Sequence, residues 1–153
     1  MFTPYLDYRI NKSQCYVESH FRETAVSPVG AKGICQFMDG TWSDVTSRWQ
    51  LGKHDVFDTR MNIYANAFYN NRLYRNWTSP RPERDRISLM LASYNAGLGN
   101  LLRAQRLCGM PNLYEDIVIC LPSITGSNAN ETLNYVPKTW DNYQRLLLGL
   151  PMR

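Results

Sequence analysis

The chain has 153 residues, 44% of them hydrophobic and 20% charged, a balance that predicts one folded domain and excludes a disordered chain. The net charge of +4 favours polyanionic partners only weakly. Without a Lys/Arg-rich arm or a recognisable motif, the sequence argues against nucleic-acid binding. Ten Tyr and four Trp fit either core packing or a groove that stacks sugar rings or bases, and composition does not separate the two.

The sequence predicts neither a membrane span nor a secretion leader. No apolar stretch reaches the roughly 20 residues that a transmembrane helix needs, and residues 1–10 lack the apolar core of a signal peptide. We therefore expect a soluble cytosolic chain, or a mature fragment, that does not insert into a membrane. A substrate outside the cytoplasm then requires another route of delivery.

The four cysteines are Cys15, Cys35, Cys108 and Cys120. Their spacing matches no zinc pattern and the chain has only two His, so no metal site is predicted. An even number of cysteines permits disulfides, and Cys108 to Cys120 is the easier loop to close. Without a secretion signal, however, free buried thiols are the expected state.

The first helix is expected to start at a Thr3 cap with Pro4 in its first turn. Apolar residues then recur at about helical period to near Ser19, which places Glu18 in the last turn. Residues 25–36 combine Ser-Pro, Val-Gly and Lys-Gly steps. These steps predict a turn-rich segment with a small irregular β element.

Helical patterns with turn-rich joins continue to the end of the chain. The next expected element is a short helix that is capped by Asp39 or Thr41 and carries Trp42, Val45 and Trp49. Three longer helical patterns follow: one capped by Asp58 and running toward Trp77, one from Pro82 to Asn95 ended by Gly97 and Gly99, and one from Leu101 to Cys108. The last expected elements are a short apolar segment from Tyr114 to Cys120, a loop from Leu121 to Asn128, and a final helix with Tyr135 and Trp140. Pro137 is compatible with this last helix only in its first turn. The expected fold is a compact, mostly helical domain.

Glu18 is the first candidate for a catalytic group. Cleavage of a glycosidic bond requires an acid that protonates the leaving oxygen, and a carboxyl does this near neutral pH when apolar surroundings raise its pKa. Val17 and Phe21 are suitable neighbours for such an environment. The alternative is an ordinary exposed glutamate at a helix end. Other segments of the sequence are needed to distinguish the catalytic interpretation from this one.

Several short segments accompany Glu18 in one order along the chain. They are Glu18-Ser19, residues 25–31 (AVSPVGA), residues 33–36 (GICQ), Thr41-Trp42, Asn62, residues 92–100 (ASYNAGLGN) and residues 131–136 (ETLNYV). Together they resemble the soluble lytic transglycosylase family, whose fold is similar to that of goose-type lysozyme. The resemblance covers residues 4–145. It implies a mostly α, lysozyme-like α+β fold in which residues 1–153 form a single catalytic domain.

The resemblance also implies roles for individual residues. Glu18 matches the catalytic glutamate, which acts first as general acid and then as general base, and Tyr135 matches a tyrosine whose hydroxyl orients it. The positions implied to bind or support the glycan are Ser27, Cys35, Gln36, Tyr94, Asn95 and Glu131. Cys35 stands where the family often has Met, and a small, fairly apolar thiol would preserve the groove.

The implied reaction cleaves the MurNAc-β-1,4-GlcNAc bond of peptidoglycan and forms 1,6-anhydroMurNAc ends, with one glutamate and no cofactor. Goose-type lysozymes carry an aspartate at the position of Met38, so the sequence offers no well-placed second acid, Asp39 being one residue later. The alternatives are a hydrolytic muramidase of the goose type and a glycan-binding or structural component of a virion or secretion machine. The missing leader suggests a bacteriophage lysin that reaches the periplasm or cell wall with the virion or through a holin.

Overall fold

The computed structural model describes residues 6–48 and 54–153, and helices dominate this part of the chain. The helices are α1 (Tyr8–Ser19), α2 (Asp39–Ser47), α3 (Thr59–Asn76), α4 (Glu83–Ala96), α5 (Leu98–Leu107), α6 (Tyr114–Val118), α7 (Pro122–Thr125), a 3-10 turn (Gly126–Asn128) and α8 (Ala129–Leu147). The β structure within these residues consists of isolated antiparallel bridges from Val26 to Lys32 and from Lys32 to Phe37. These bridges confirm the small β element predicted near residues 25–36. None of the described helices has the length and apolarity to cross a membrane.

The chain forms two compact units, one of Met1–Asn71 with Thr139–Arg153 and one of Arg72–Lys138. In the first unit, α1 starts after Asp7, whose carboxylate accepts a hydrogen bond from the Arg9 backbone N–H at 2.9 Å. Thr3 and Pro4 lie outside the described residues, but α1 begins only at Tyr8, so the predicted start is too early, whereas the predicted end at Ser19 is confirmed. Asp7 is a suitable capping residue that the sequence also contains, but the prediction placed the start at the Thr3-Pro4 pair instead.

A buried polar ladder packs α1 against α3 in the first unit. Asn66 and Asn70 donate hydrogen bonds to Gln14 Oε1 at 3.0 and 2.6 Å, and Asn70 also donates to Asn11 at 2.9 Å. The side chains of Gln14, Asn66 and Asn70 are completely buried, so these bonds offset the cost of removing the amides from water. The predicted Asp58 cap of α3 is confirmed by its 2.9 Å bond from the Met61 backbone N–H.

In the second unit, α4 is the central buried helix. Its residues 89–92 have no solvent exposure, as the predicted apolar pattern from Pro82 to Asn95 requires. Gly97 alone separates α4 from α5, with a φ of 90° that favours glycine. Gly99, predicted to help end α4, instead lies inside α5, because the second helix already begins at Leu98.

Two other predictions for the second half of the chain are wrong. The segment from Leu121 to Asn128 is not a loop, because α7 and the 3-10 turn occupy it. Pro137 does not lie in a first turn either, because α8 already begins at Ala129 and contains the proline in its interior. Burial of Ala129 and Thr132 accounts for the early start of the helix, since packing of a buried face outweighs weak local signals.

The expectation of free thiols is also wrong. Cys15 pairs with Cys35, and Cys108 pairs with Cys120. The Cys108–Cys120 disulfide closes the shorter loop, which was predicted from the sequence to be the easier one to close. The first pair forms because the turn-rich segment folds back onto α1, which sequence spacing does not reveal.

Candidate active site

Glu18 lies in the last turn of α1 and is partly buried. The chain turns sharply just after it, since His20 and Phe21 both adopt left-handed backbone conformations with φ of 53° and 60°. The Tyr16 ring packs against both of these residues, with centroid distances of 4.8 Å to His20 and 5.3 Å to Phe21. Glu18 therefore lies at a helix end that is followed directly by a sharp turn and a small aromatic cluster, and its role as the catalytic acid stays a prediction.

The turn of residues 27–31 depends on the Ser27 hydroxyl. Ser27 Oγ accepts a hydrogen bond from the Ala31 backbone N–H at 2.9 Å, and the Ser27 backbone N–H donates to the Ala31 carbonyl at 2.8 Å. The structure thus gives Ser27 a role in shaping the turn. Because a hydroxyl both donates and accepts, its O–H remains available for the predicted bond to a sugar or an acid.

Gln36 lies at the end of the same segment, in a left-handed conformation with φ of 56°. Its side-chain amide donates to the carbonyl oxygens of Gly33 at 2.9 Å and Ala25 at 3.2 Å. Both N–H groups of the amide are used within the loop, so its orientation is fixed. The carboxamide oxygen is then the atom that suits a ligand donor such as an acetamido N–H.

The loop that contains Gln36 is supported by the buried side chain of Asn62. Asn62 Oδ1 accepts from the Cys35 backbone N–H at 3.0 Å, and its Nδ2 donates to the Val56 carbonyl at 2.7 Å. Gly33 packs directly on this amide, where an added Cβ would collide with Asn62 Nδ2 and lie 2.6 Å from the Val56 carbonyl oxygen. A side chain at position 33 is therefore excluded by Asn62, a contact that spacing along the chain does not reveal.

Cys35 does not line a groove as a free thiol. Its side chain has no solvent exposure and is bonded to Cys15. The expected contact between this thiol and a glycan is therefore wrong for the structure as it stands. The disulfide between Cys15 and Cys35 could not be predicted from the sequence, because the two cysteines lie 20 residues apart.

Asp39, the acid closest in sequence to the goose-type aspartate position, is paired with a lysine. Lys32 Nζ lies 2.8 Å from Asp39 Oδ1 and 2.9 Å from Oδ2, and the Asp39 side chain is 73% exposed. Asp39 is the first residue of α2 and does not cap it, since Met38 is the capping position. Met38 itself is exposed.

The second unit brings together two of the predicted residues. Asn95, in the last turn of α4, donates through Nδ2 to Glu131 Oε1 at 2.9 Å and accepts from Thr132 Oγ1 at 2.6 Å. The two bonds fix which side of the Asn95 amide is donor and which is acceptor. Thr132 was present in the matched segment but was not predicted to have a role.

The two predicted tyrosines belong to the same unit. Tyr94 precedes Asn95 and is partly buried, whereas Tyr135 lies one turn after Glu131 on α8 and is only 5% exposed. The predicted roles of both tyrosines stay predictions. Among the described residues, His, Cys, Asp and Glu form no group suited to holding a metal ion.

A helical fold with a glutamate at a helix end, a glycine-glutamine loop and a Tyr-Asn pair is typical of lysozyme-like enzymes that act on glycans. The family model for the transglycosylase SLT domain matches residues 7–115. The chain therefore belongs to the transglycosylase SLT family, as the resemblance indicated.

Curated relatives agree with this assignment. The chain is 31% identical over 144 residues to the membrane-bound lytic murein transglycosylases F of Yersinia enterocolitica and Yersinia pestis, which covers 92% of this chain and 27% of each relative. The enzyme of the same name from Serratia proteamaculans is 30% identical over 134 residues, covering 85% of this chain and 26% of the relative. The chain thus spans about a quarter of the length of the curated relatives it matches.

Solved structures show the same fold. The 70 kDa soluble lytic transglycosylase of Escherichia coli superposes with a TM-score of 0.70 at 22% identity, covering 95% of this chain and 22% of that one. An inactive variant of the lytic transglycosylase Slt of Pseudomonas aeruginosa gives a TM-score of 0.70 at 20% identity, covering 96% and 23%. These likenesses confirm the predicted mostly helical, lysozyme-like fold.

Proposed function

We propose that this chain is a peptidoglycan lytic transglycosylase that cleaves the MurNAc-β-1,4-GlcNAc bond and leaves 1,6-anhydroMurNAc ends. The observation that carries the proposal is the placement of Glu18 in the last turn of α1, in the same unit as the Gln36 amide, whose two N–H groups are bonded within its loop. Membership of the SLT family supports it. So do the names of the relatives, all described as lytic murein transglycosylases.

Glu18 carries out both chemical steps in this mechanism. Its carboxyl proton is transferred to the glycosidic oxygen as the C1–O bond breaks, and the substrate's own acetamido group stabilises the positive charge that develops at C1. The Glu18 carboxylate then takes the proton of the C6 hydroxyl while that oxygen bonds to C1. The product is a 1,6-anhydro ring and the glutamate ends protonated, ready for another cycle.

The other predicted residues supply binding contacts in the proposal. Gln36 presents its carboxamide oxygen to the glycan, and Tyr94 and Asn95 hold an N-acetyl sugar. Glu131 supports Asn95 rather than the chemistry, since its carboxylate accepts the Asn95 amide N–H at 2.9 Å. The role of Tyr135 as the tyrosine whose hydroxyl orients the acid is proposed from the family resemblance alone.

The decisive experiment compares Glu18→Gln with Asp39→Asn, the same loss of a carboxylate at an exposed position paired with Lys32. Purified peptidoglycan sacculi are digested and the released fragments are analysed by mass spectrometry. The wild-type chain should release muramic ends lighter by one water, and Glu18→Gln should slow release by about 100-fold or more. Asp39→Asn should retain the wild-type rate.

Other outcomes point to other functions. Reducing muramic ends alone would indicate a hydrolytic muramidase, and an equal loss in Asp39→Asn would indicate that two carboxylates are needed. A Glu18→Gln chain as active as wild type would leave the glutamate without a catalytic role.

We further propose that the chain acts at the cell wall, where peptidoglycan lies. A virion, a holin or a secretion machine is the predicted route of delivery. Detection of the chain in purified phage particles supports the virion route. A leader-bearing precursor in bacterial cells would exclude both the virion and the holin.

A further inference from the structure

The end of α1 is attached to the loop of residues 33–36 at two points within the first unit. Cys15 is bonded to Cys35, and one turn further along, Ser19 Oγ donates to the Ile34 carbonyl at 2.7 Å. Glu18 lies between the two attachment points on the helix, and position 36 directly follows the disulfide on the loop. The disulfide and the Ser19 hydrogen bond therefore both join the helix end, which carries the candidate acid, to the loop, which carries the candidate glycan-binding amide.

Three other hydrogen bonds of the loop serve a different purpose. The Cys35 backbone N–H bonds to Asn62, and the Gln36 amide bonds to Gly33 and Ala25. These bonds set the shape of the loop, but their partners lie outside α1. These bonds do not join the loop to α1, whereas the disulfide and the Ser19 bond do.

We propose that the Cys15–Cys35 disulfide is a positioning element of the active site, which holds Glu18 at a fixed distance from the glycan bound at Gln36. The inference rests on the proposed transglycosylase activity. The two sulfur-bearing side chains are 3% and 0% exposed, so they act through Glu18 and Gln36 and not through substrate contact. A disulfide restricts the approach of two backbones more tightly than packed side chains do.

The proposal has a specific kinetic consequence. A loop that keeps its own hydrogen bonds still binds glycan, so KM changes little. A small displacement between the bound sugar and the acid mainly affects the transition state, where a misplacement of about 1 Å can cost up to roughly 100-fold in rate. We therefore expect the loss of the disulfide to appear in kcat.

The test compares two double variants. Cys15→Ala/Cys35→Met removes the disulfide near Glu18 while refilling the buried space, and Cys108→Ser/Cys120→Ser removes the disulfide of the second unit as a matched control. Steady-state rates are measured on soluble glycan strands well below the unfolding temperature, with circular dichroism to check the fold. The first variant should lose about tenfold in kcat with KM within about twofold, and the control should stay within about twofold in both.

Several results would overturn the proposal. A kcat for Cys15→Ala/Cys35→Met close to that of wild type would show that apolar packing positions the loop without the covalent bond. An equal loss in the control variant would assign the effect to general stability. Failure of both this variant and Cys15→Ser/Cys35→Ser to fold would assign the disulfide to folding alone. These results leave the proposed activity intact, whereas a wild-type chain that releases no anhydro ends overturns both.

Discussion

Gly33 is the position where a single methyl group should be most costly to the candidate site. A Cβ there would collide with Asn62 Nδ2 and lie 2.6 Å from the Val56 carbonyl oxygen, and the backbone has a φ of 78°. Gly30 provides a matched control, because its φ is 88° but an added Cβ meets nothing within 4 Å. Comparing alanine at the two positions separates the steric clash from the backbone strain that they share.

The expected magnitudes follow from these contacts. Alanine in a left-handed conformation costs roughly 1–2 kcal/mol at either position. At Gly33 the displaced Asn62 also loses its bonds to Cys35 and Val56, and buried groups left unpaired cost about 1–3 kcal/mol each. Gly33→Ala should therefore reduce the free energy of unfolding by about 2–4 kcal/mol more than Gly30→Ala. For a chain of this length the difference amounts to roughly 5–15 °C in Tm.

Thermal unfolding followed by circular dichroism measures both variants under the same conditions. A third measurement places Gly33→Ala in an Asn62→Ala background, where the clash with the amide is absent. The cost of Gly33→Ala should then fall by at least about 1 kcal/mol. Equal destabilisation by the two glycine replacements, or no coupling with Asn62, would refute the steric argument.

Two further predictions concern stability and pH. Asp7→Ala should lower the free energy of unfolding by about 1–2 kcal/mol near neutral pH, because it removes the cap of α1. Hydrogen bonds from Arg9 lower the pKa of Asp7 below its usual value of 3.8. The carboxylate therefore stabilises the fold above pH 3.8, and this stabilisation is lost as the pH falls. Unfolding curves of wild type and Asp7→Ala should converge at about pH 2. Tyr114→Phe should keep or raise stability by up to about 1 kcal/mol, because the buried Tyr114 hydroxyl has no hydrogen-bond partner among the described residues. Burial raises the pKa of Tyr114 above its usual 10.0. The wild-type protein should therefore lose stability as the pH rises past about 10, and Tyr114→Phe should lose less. Unfolding curves measured at alkaline pH test this difference.

The helical elements near the candidate acid could be predicted from the sequence because their signals are local. Apolar residues one turn apart marked α1 to Ser19 and so placed Glu18 in its last turn. Asp58 was recognisable as the cap of α3 because a cap and its partner N–H are only three residues apart. The prediction for Pro137 was wrong because it also relied on a local signal. The rule against proline inside a helix does not take account of the packing that lets α8 begin at Ala129.

The sequence by itself determined the family, the mostly helical fold and the residue proposed as the acid, because motif order and helical period are properties of the chain. Only the tertiary structure decided that Cys15 pairs with Cys35 and that Glu131 holds Asn95, across separations of 20 and 36 residues. Such contacts depend on how separate segments fold back on one another, and spacing along the chain does not specify that geometry. The support of the candidate site is therefore tertiary, whereas its proposed chemistry rests on the sequence.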